Sequence, residues 1–276
     1  MEKLACVVVL YNPNNEIVNK VIQYKRIFRD VILIDNSDSE ISMLCDDNEI
    51  IYIPLKRNHG IAHALNIGIE RAIEIGYEWV MTLDQDSIIN KDCIKQLNHT
   101  INNISDNNIA IISANYEPDK YIPQDGIEET HFVITSGTVL RTEVFKKLGP
   151  YINDMFIDAV DYEYCYRAVS KGYKILRDNK AIFSHTVGNP VYVKGIKCRN
   201  YPAFRYYFIT RNNLIVSKMY KNILPESMGL RKGQKKYQRS VRYEDNTIVK
   251  KIYIFIGKMD YLLWLITGKY YCHIKI

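Results

Sequence analysis

No stretch of this 276-residue chain approaches the roughly 20 consecutive apolar residues that a helix needs to cross a bilayer. Met-Glu-Lys leads straight into the apolar run that starts at Leu4, which is too short for a signal peptide, so the expected location is the cytosol or the inner face of the cell membrane. The six cysteines are scattered and form no Cys-x-x-Cys pair, which argues against a zinc ribbon or a dithiol redox motif and fits buried, reduced thiols. With 13 Gly and 8 Pro there is no low-complexity linker, and no internal repeat occurs. Acidic residues are scarce in one region only. Lys194–Ile276 carries 18 Lys+Arg against 4 Asp+Glu, while the preceding residues hold 19 and 27. An acidic body with a basic tail implies that the tail meets a polyanion, for which anionic lipid, nucleic acid and a phosphate-bearing acceptor all have the right charge.

What is present alternates strand with helix. Leu4–Tyr11 is nearly all apolar and valine-rich, as a central parallel strand should be. Helical spacing follows from Ile17 to Ile27, then strands at Asp30–Ile34 and Ile50–Pro54, a helical stripe through Ile61, Leu65, Ile69 and Ile73, and a strand at Tyr77–Leu83. This order predicts an α/β fold with a mostly parallel, Rossmann-like sheet. Further on, a helix is expected at Asp92–Ile101, a strand at Ile109–Tyr116, a loop over Asn115–Glu129, helices at Thr142–Leu148 and Asp161–Lys171, and separate strands at Lys174–Leu176 and Lys180–Ser184.

Each early strand ends in polar residues: Asn12, Asp35, Asn58, and the pair Asp84 and Asp86. Ligands of open α/β sheets sit beyond the carboxyl ends of strands. Asp-x-Asp at such an edge offers two hard oxygens that suit Mg²⁺ or Mn²⁺ holding a diphosphate, although Asp also favours plain turns.

Leu10-Tyr11-Asn12-Pro13, Ile34-Asp35-Asn36-Ser37, Arg57-Asn58-His59-Gly60-Ile61-Ala62 with Asn66-Ile67-Gly68, and Leu83-Asp84-Gln85-Asp86-Ser87 resemble, in order and spacing, the family 2 glycosyltransferases of the GT-A fold. Ser136-Gly137, Phe156-Ile157-Asp158, Val160-Asp161-Tyr162-Glu163 with Arg167, and His185 continue the resemblance, which covers about residues 4–215 and is nearest in flavour to bacterial rhamnosyltransferases of surface-polysaccharide assembly. It implies a nucleoside-diphosphate sugar donor, dTDP-L-rhamnose first among them, and a saccharide acceptor, lipid-linked at the membrane face.

The resemblance also implies roles. Asp35 would accept the imide N–H of uracil or thymine, Tyr11 would stack near the base or wall the pocket, and Asn12, Asn58 and Gly60 would let backbone approach the nucleotide. Asp84 and Asp86 would hold the metal, Asp84 being shared with ribose. Asp161 would be the base of an inverting displacement. The family's usual Glu-Asp pair is Val160-Asp161 here, so Asp158 competes for that assignment. Ser136 with Gly137 would line the acceptor or donor-sugar side, His185 would meet metal or diphosphate, and Arg211 with Asn212 would touch an acceptor diphosphate; Arg167 would brace its helix against a carboxylate.

The expected organisation is a GT-A nucleotide-sugar and acceptor domain over 1–193 and a basic, aromatic-rich helical extension over 194–276. Asn200–Tyr220 interleaves aromatics with Arg and Lys, and Arg231–Arg242 holds six basic residues in twelve. Such segments read either as an interfacial membrane anchor or as a helical subdomain with a solvated charged face. Nucleic acid is not an expected partner. Two other readings remain: a sugar-1-phosphate nucleotidyltransferase, which would want a Gly-rich phosphate loop that residues 10–20 lack, and a non-catalytic protein that binds membrane or polyanion through its tail.

Overall fold

The computed structural model describes residues 4–45, 49–116, 126–184 and 191–274. The chain divides into two compact units, Met1–Tyr151 with Tyr164–Thr186, and Ile152–Glu163 with Val187–Ile276.

The first unit is built on β1 (Leu4–Leu10), whose seven residues are all buried. Then come α1 (Asn15–Ile22), β2 (Val31–Asp35), the single turn α2 (Ser42–Cys45), β3 (Ile51–Pro54), α3 (Ile61–Glu74), β4 (Trp79–Asp84) and α4 (Lys91–Asn103). The run continues through β5 (Ile109–Tyr116), β6 (Ile127–Thr130), β7 (Thr138–Arg141), α5 (Thr142–Leu148) and β8 (Lys174–Phe183), while α6 (Val160–Ser170) begins in the second unit and ends in the first. Among the described residues these strands form one eight-stranded sheet in the order β3-β2-β1-β4-β7-β5-β8-β6. The first four are mutually parallel; β7 runs antiparallel to both β4 and β5.

Polar side chains set the helix starts. The Asn14 side chain accepts the Ile17 N–H at 2.9 Å, and Asn90 accepts from Cys93 at 2.9 Å, each supplying a partner to an end that the helix leaves open. Asn14 therefore starts α1 two residues before the apolar spacing does. Two other expectations change. Lys174–Phe183 is one strand rather than two, with a register shift where β5 passes from Ala114 to Asn115, because the bulge absorbs the break in the apolar pattern. Ile127–Thr130, expected in a loop, is an edge strand on β8, and half-exposed alternation suits that position; residues 117–125 of that loop lie outside the described residues.

In the second unit, β9 (Val191–Val193) pairs antiparallel with β10 (Ile196–Cys198). Three helices follow: α7 (Ala203–Tyr220), α8 (Met228–Ser240) and α9 (Thr247–Thr267). Thirteen of the eighteen residues of α7 are buried, so this segment is the unit's core helix and not an amphipathic surface element. No helix among the described residues is long and apolar enough to cross a membrane.

Helix α3 lies unusually close to β1 and β2: a Cβ on Gly68 would sit 2.3 Å from Val7 Cγ1 and 3.1 Å from Ile34 Cγ1. Glycine is ordinarily a poor residue in mid-helix, yet here it permits the approach. Gly68→Ala is expected to destabilise the protein by about 1–3 kcal/mol through overpacking, read as a lowered urea midpoint, against the gain that the same change gives on an open helix face.

Candidate functional site

Register brings the strand ends of the first unit together. Leu10 pairs with Asp35, Asp35 with Pro54, and Val9 with Asp84, so the carboxyl ends of four strands stop at one edge. The residues just beyond them are Tyr11 and Asn12, Asn36 and Ser37, Arg57 to Gly60, and Gln85 and Asp86.

Short polar contacts lock these tips. Tyr11 N–H donates to Gln85 Oε1 at 2.8 Å, and Gln85 Nε2 returns a bond to Tyr11 O at 3.2 Å. Asn12, held at φ 44°, donates its N–H to Ser37 Oγ at 2.7 Å. The Asn36 amide donates to Asn58 Oδ1 at 3.0 Å and accepts His59 N–H at 2.8 Å. Asn58 Oδ1 also accepts Gly60 N–H at 2.9 Å. Asn58 thus shapes the turn through its side chain, and Gly60, at φ 84°, needs the left-handed region that glycine tolerates. The Tyr11 ring is half-exposed at this edge and available for stacking.

Asp35 is 1% exposed. Its Oδ1 accepts Ser37 N–H at 3.1 Å and its Oδ2 accepts Tyr52 O–H at 2.6 Å. A carboxylate oxygen accepts more than one hydrogen bond, so the group is held in place without being saturated. Burial, followed by the bond to Asp35, pushes the Tyr52 hydroxyl well above the ordinary phenol range, which keeps it a donor.

Asp84 closes β4, half-buried, and Asp86 is exposed in the turn after it. Asp84 N–H donates to Ser136 Oγ at 3.1 Å, and the hydroxyls of Ser136 and Ser87 lie 2.5 Å apart. Ser136 is 1% exposed and braces the Asp84–Ser87 turn. The next residue, Gly137, sits at φ 76° against the Phe183 ring, 2.4 Å from where a Cβ would be. Lys20 of α1 stands in the field of Asp86: burial pulls its ammonium below the usual lysine range, and Asp86 and then Glu16 oppose that pull.

Among the described residues no three His, Cys, Asp or Glu side chains converge as a metal-binding group. Mg²⁺ in phosphate-handling sites is held by one or two carboxylates, with substrate phosphates and water completing the shell. The Asp84 and Asp86 carboxylates, one of them open to solvent, fit that manner of binding and not a closed all-protein cage. His185 lies outside the described residues.

The second unit carries Asp158 and Asp161. Phe156, Asp158 and Ala159 have φ of 60°, 65° and 60° without being glycine, a conformation that needs external support. Helix α7 supplies it. Asn212 Nδ2 donates to the carbonyls of Met155, Ile157 and Asp158 at 2.8, 2.8 and 2.9 Å. Arg205 forks onto the Asp158 carboxylate, with Nε–Oδ2 at 3.1 Å and Nη2–Oδ1 at 3.2 Å. Burial raises Asp158 above the usual carboxylate range while Arg205 opposes it, and the fork leaves Asp158 engaged with Arg205. Asp161, in the first turn of α6, is half-buried, with Oδ1 accepting Tyr162 N–H at 2.9 Å. Both candidates for a base, Asp158 and Asp161, are half-buried, and Asp158 is the one that Arg205 grips.

Arg211 corrects its expected place. It is 1% exposed, donates to Tyr271 O at 2.6 Å, Tyr207 Oη at 3.1 Å and Asn212 Oδ1 at 2.9 Å, bonds Asp154 O, and stacks on Tyr207 and Phe208. Neither an exposed basic face nor a phosphate ligand describes it; α7 turns it inward because the 154–158 segment needs donors. Arg167 braces its helix through the carbonyls of Leu148, Gly149 and Pro150 and lies over the Tyr164 ring. Tyr52 and Arg205 are contributors that the sequence did not single out, and Gln85 and Ser87 stood in the quoted strand-end motif without a role of their own. Their residue types are commonplace, and only the pairing of distant segments gives them work.

Residues 7–127 match the family model described as Glycosyl transferase family 2. The chain is 30% identical over 248 residues to the dTDP-rhamnosyl transferase RfbF of Shigella flexneri, covering 82% of each chain. It is 26% identical over 199 residues to the low-salt glycan biosynthesis hexosyltransferase Agl10 of Haloferax volcanii, covering 61% of this chain and 62% of that one. Among solved structures, S. aureus TarS 1-349 in complex with UDP superposes with a TM-score of 0.53 at 14% identity, covering 99% of this chain and 94% of that one. GalNAc-T7 with UDP, GalNAc and Mn²⁺ gives 0.57 at 14% identity, covering 97% and 58%. These two bear on the fold, which is GT-A.

Asn212→Leu removes the amide from three carbonyls at once. It is expected to lower stability by about 3 kcal/mol, since buried polar groups lose their partners, measured by urea unfolding monitored by circular dichroism.

Proposed function

We propose that this chain, which belongs to glycosyltransferase family 2, transfers L-rhamnose from dTDP-L-rhamnose to a saccharide acceptor with inversion at the anomeric carbon. The observation that carries the donor assignment is the likeness to a dTDP-rhamnosyl transferase over four-fifths of both chains, and Asp35 and Asp84 at the ends of β2 and β4 are consistent with it. The acceptor is a lipid-linked saccharide of surface-polysaccharide synthesis.

In this reading Tyr11 stacks on the base, and Asp35, oriented by Ser37 and Tyr52, accepts the pyrimidine imide N–H. Asn12, Asn58 and Gly60 shape the backbone against the nucleotide. Asp84 and Asp86 would hold Mg²⁺ or Mn²⁺, which when bound neutralises charge developing on the departing diphosphate. Asp161 takes the proton from the attacking acceptor hydroxyl at its carboxylate. A single displacement needs one such base and no protein nucleophile, which matches an inverting outcome.

The test is a panel of nucleotide-sugars with Mg²⁺ or Mn²⁺, scoring donor hydrolysis and transfer. Turnover of dTDP-L-rhamnose above the other donors, abolished by a chelator, is expected; equal indifference to every donor would overturn the assignment. Asp161→Asn should lower kcat by roughly a thousandfold, the scale of losing a general base, with little change in donor KM. Asp86→Asn should instead raise the metal concentration needed for half-maximal turnover.

A further inference from the structure

Helix α9 has an inward and an outward face of opposite character. Inward, Gly257 lies so near α7 that a Cβ there would be 2.7 Å from Tyr207 O. Lys250 pairs with Glu244 at 3.0 Å in a buried ion pair, and Asp260 accepts from Tyr207 Oη at 2.6 Å. These three contacts, nearly on one line of the helix, fix its rotation. Outward, Ile248, Ile252, Phe255, Met259, Leu262 and Ile266 recur at helical spacing, each between 43% and 82% exposed. An isolated exposed apolar residue needs no explanation, but six in one stripe do.

The charges beside the stripe have one sign. Lys251 and Lys258 are the exposed charged residues of α9, whose acidic residue, Asp260, is buried. Helix α8 exposes Arg231, Lys232, Lys235, Lys236 and Arg239, and no acidic residue occurs between Glu226 and Glu244. The two helices and α7 line a groove of about 650 Å³, to which Leu214, Met228 and Leu262 contribute apolar surface and Arg231, Lys232, Lys235 and Lys258 contribute cations. Leu262 belongs to both groove and stripe.

We infer that the outward face of α9 with the α8–α9 groove is the surface by which this protein docks on an anionic lipid bilayer, the stripe entering the acyl boundary and the groove taking lipid phosphates. Four charges interrupt α9, so it lies in the interface and does not cross it. A second copy of the chain fits the face less well: related copies would bring the lysines and arginines against one another, with no exposed carboxylate on either helix face to pair them. Anionic headgroups complement that charge. The inference is independent of the donor and of the reaction.

Co-sedimentation of the full chain is compared between phosphatidylcholine vesicles and vesicles with about a third phosphatidylglycerol. Binding to the anionic vesicles alone, weakened when salt rises to about 0.5 M, is expected. The double variant I252S/F255S changes exposed positions and should keep its thermal transition and donor hydrolysis, yet bind about tenfold more weakly. K232E/K235E should do the same by charge. Wild-type protein left in the supernatant with anionic vesicles, or vesicle binding unaltered in both variants, would overturn the inference. So would a dimer in sedimentation velocity that I252S/F255S converts to monomer, without vesicle binding.

Discussion

A single side-chain amide holds the most strained backbone of the second unit. Asn212 Nδ2 reaches three carbonyls of the 155–158 segment, where three of the residues from Phe156 to Ala159 occupy positive φ. Each such residue carries strain of order 1–3 kcal/mol and persists only where neighbours over-determine it. Arg205 on the Asp158 carboxylate and Arg211 on the Asp154 carbonyl add further anchors from the same helix. The consequence lies two residues on. Helix α6 begins at Val160, so the direction in which the segment delivers the chain sets where Asp161 stands. A conformation that sequence preference resists is therefore maintained by buried donors of α7, and the candidate base depends on donors that do not themselves need to meet a substrate.

The first unit uses the same economy at the sheet edge. Tips of four parallel strands would ordinarily fray, since loops expose backbone to water. Gln85 ties itself to Tyr11 in both directions, Ser37 caps Asn12, and Asn36 links to Asn58. Below the Asp84 turn, two serine hydroxyls face one another out of solvent. Asp86 and Tyr11, exposed at the edge, thus stand on a buried polar layer, and it is this layer that fixes their spacing.

Much of this was readable without coordinates, for identifiable reasons. The parallel half of the sheet follows from valine-rich runs that alternate with helical stripes, and the motifs at the strand ends marked the edge where polar residues gather. What sequence could not show was direction. Arg211 and Ser136 have residue types that commonly meet ligands, and both are turned into the interior, where Arg211 donates to the Tyr271 and Asp154 carbonyls and Ser136 accepts the Asp84 N–H. The Asn200–Tyr220 segment reads as amphipathic because it interleaves aromatics with Arg and Lys, yet the structure buries Arg211 and half-buries Arg205 among the aromatics, on carbonyls, a carboxylate and ring faces, and leaves only Lys218 exposed among the three cations of α7. Lys174–Phe183 broke its pattern at a bulge, which a period-of-two reading takes for a strand end.

The tail's charge makes the point most sharply, because burial changes its meaning. Of the four carboxylates between Lys194 and Ile276, Glu244 is matched to Lys250 and Asp260 lies against Tyr207 and His273, both out of solvent. Asp245 is bonded to Asn200. Folding thus buries half of these carboxylates, Glu244 and Asp260, but among the described cations of the tail only Lys250 and Arg211, while the α8 cations stay out. The sequence count therefore understates how one-sided the exposed field is around α8. Apolar stripe and cations could each be dismissed alone, as a loosely packed helix or a solvated face. Three inward contacts that set the rotation of α9 leave neither free to be an accident of packing, since the helix has already made its internal bonds when the stripe points to water.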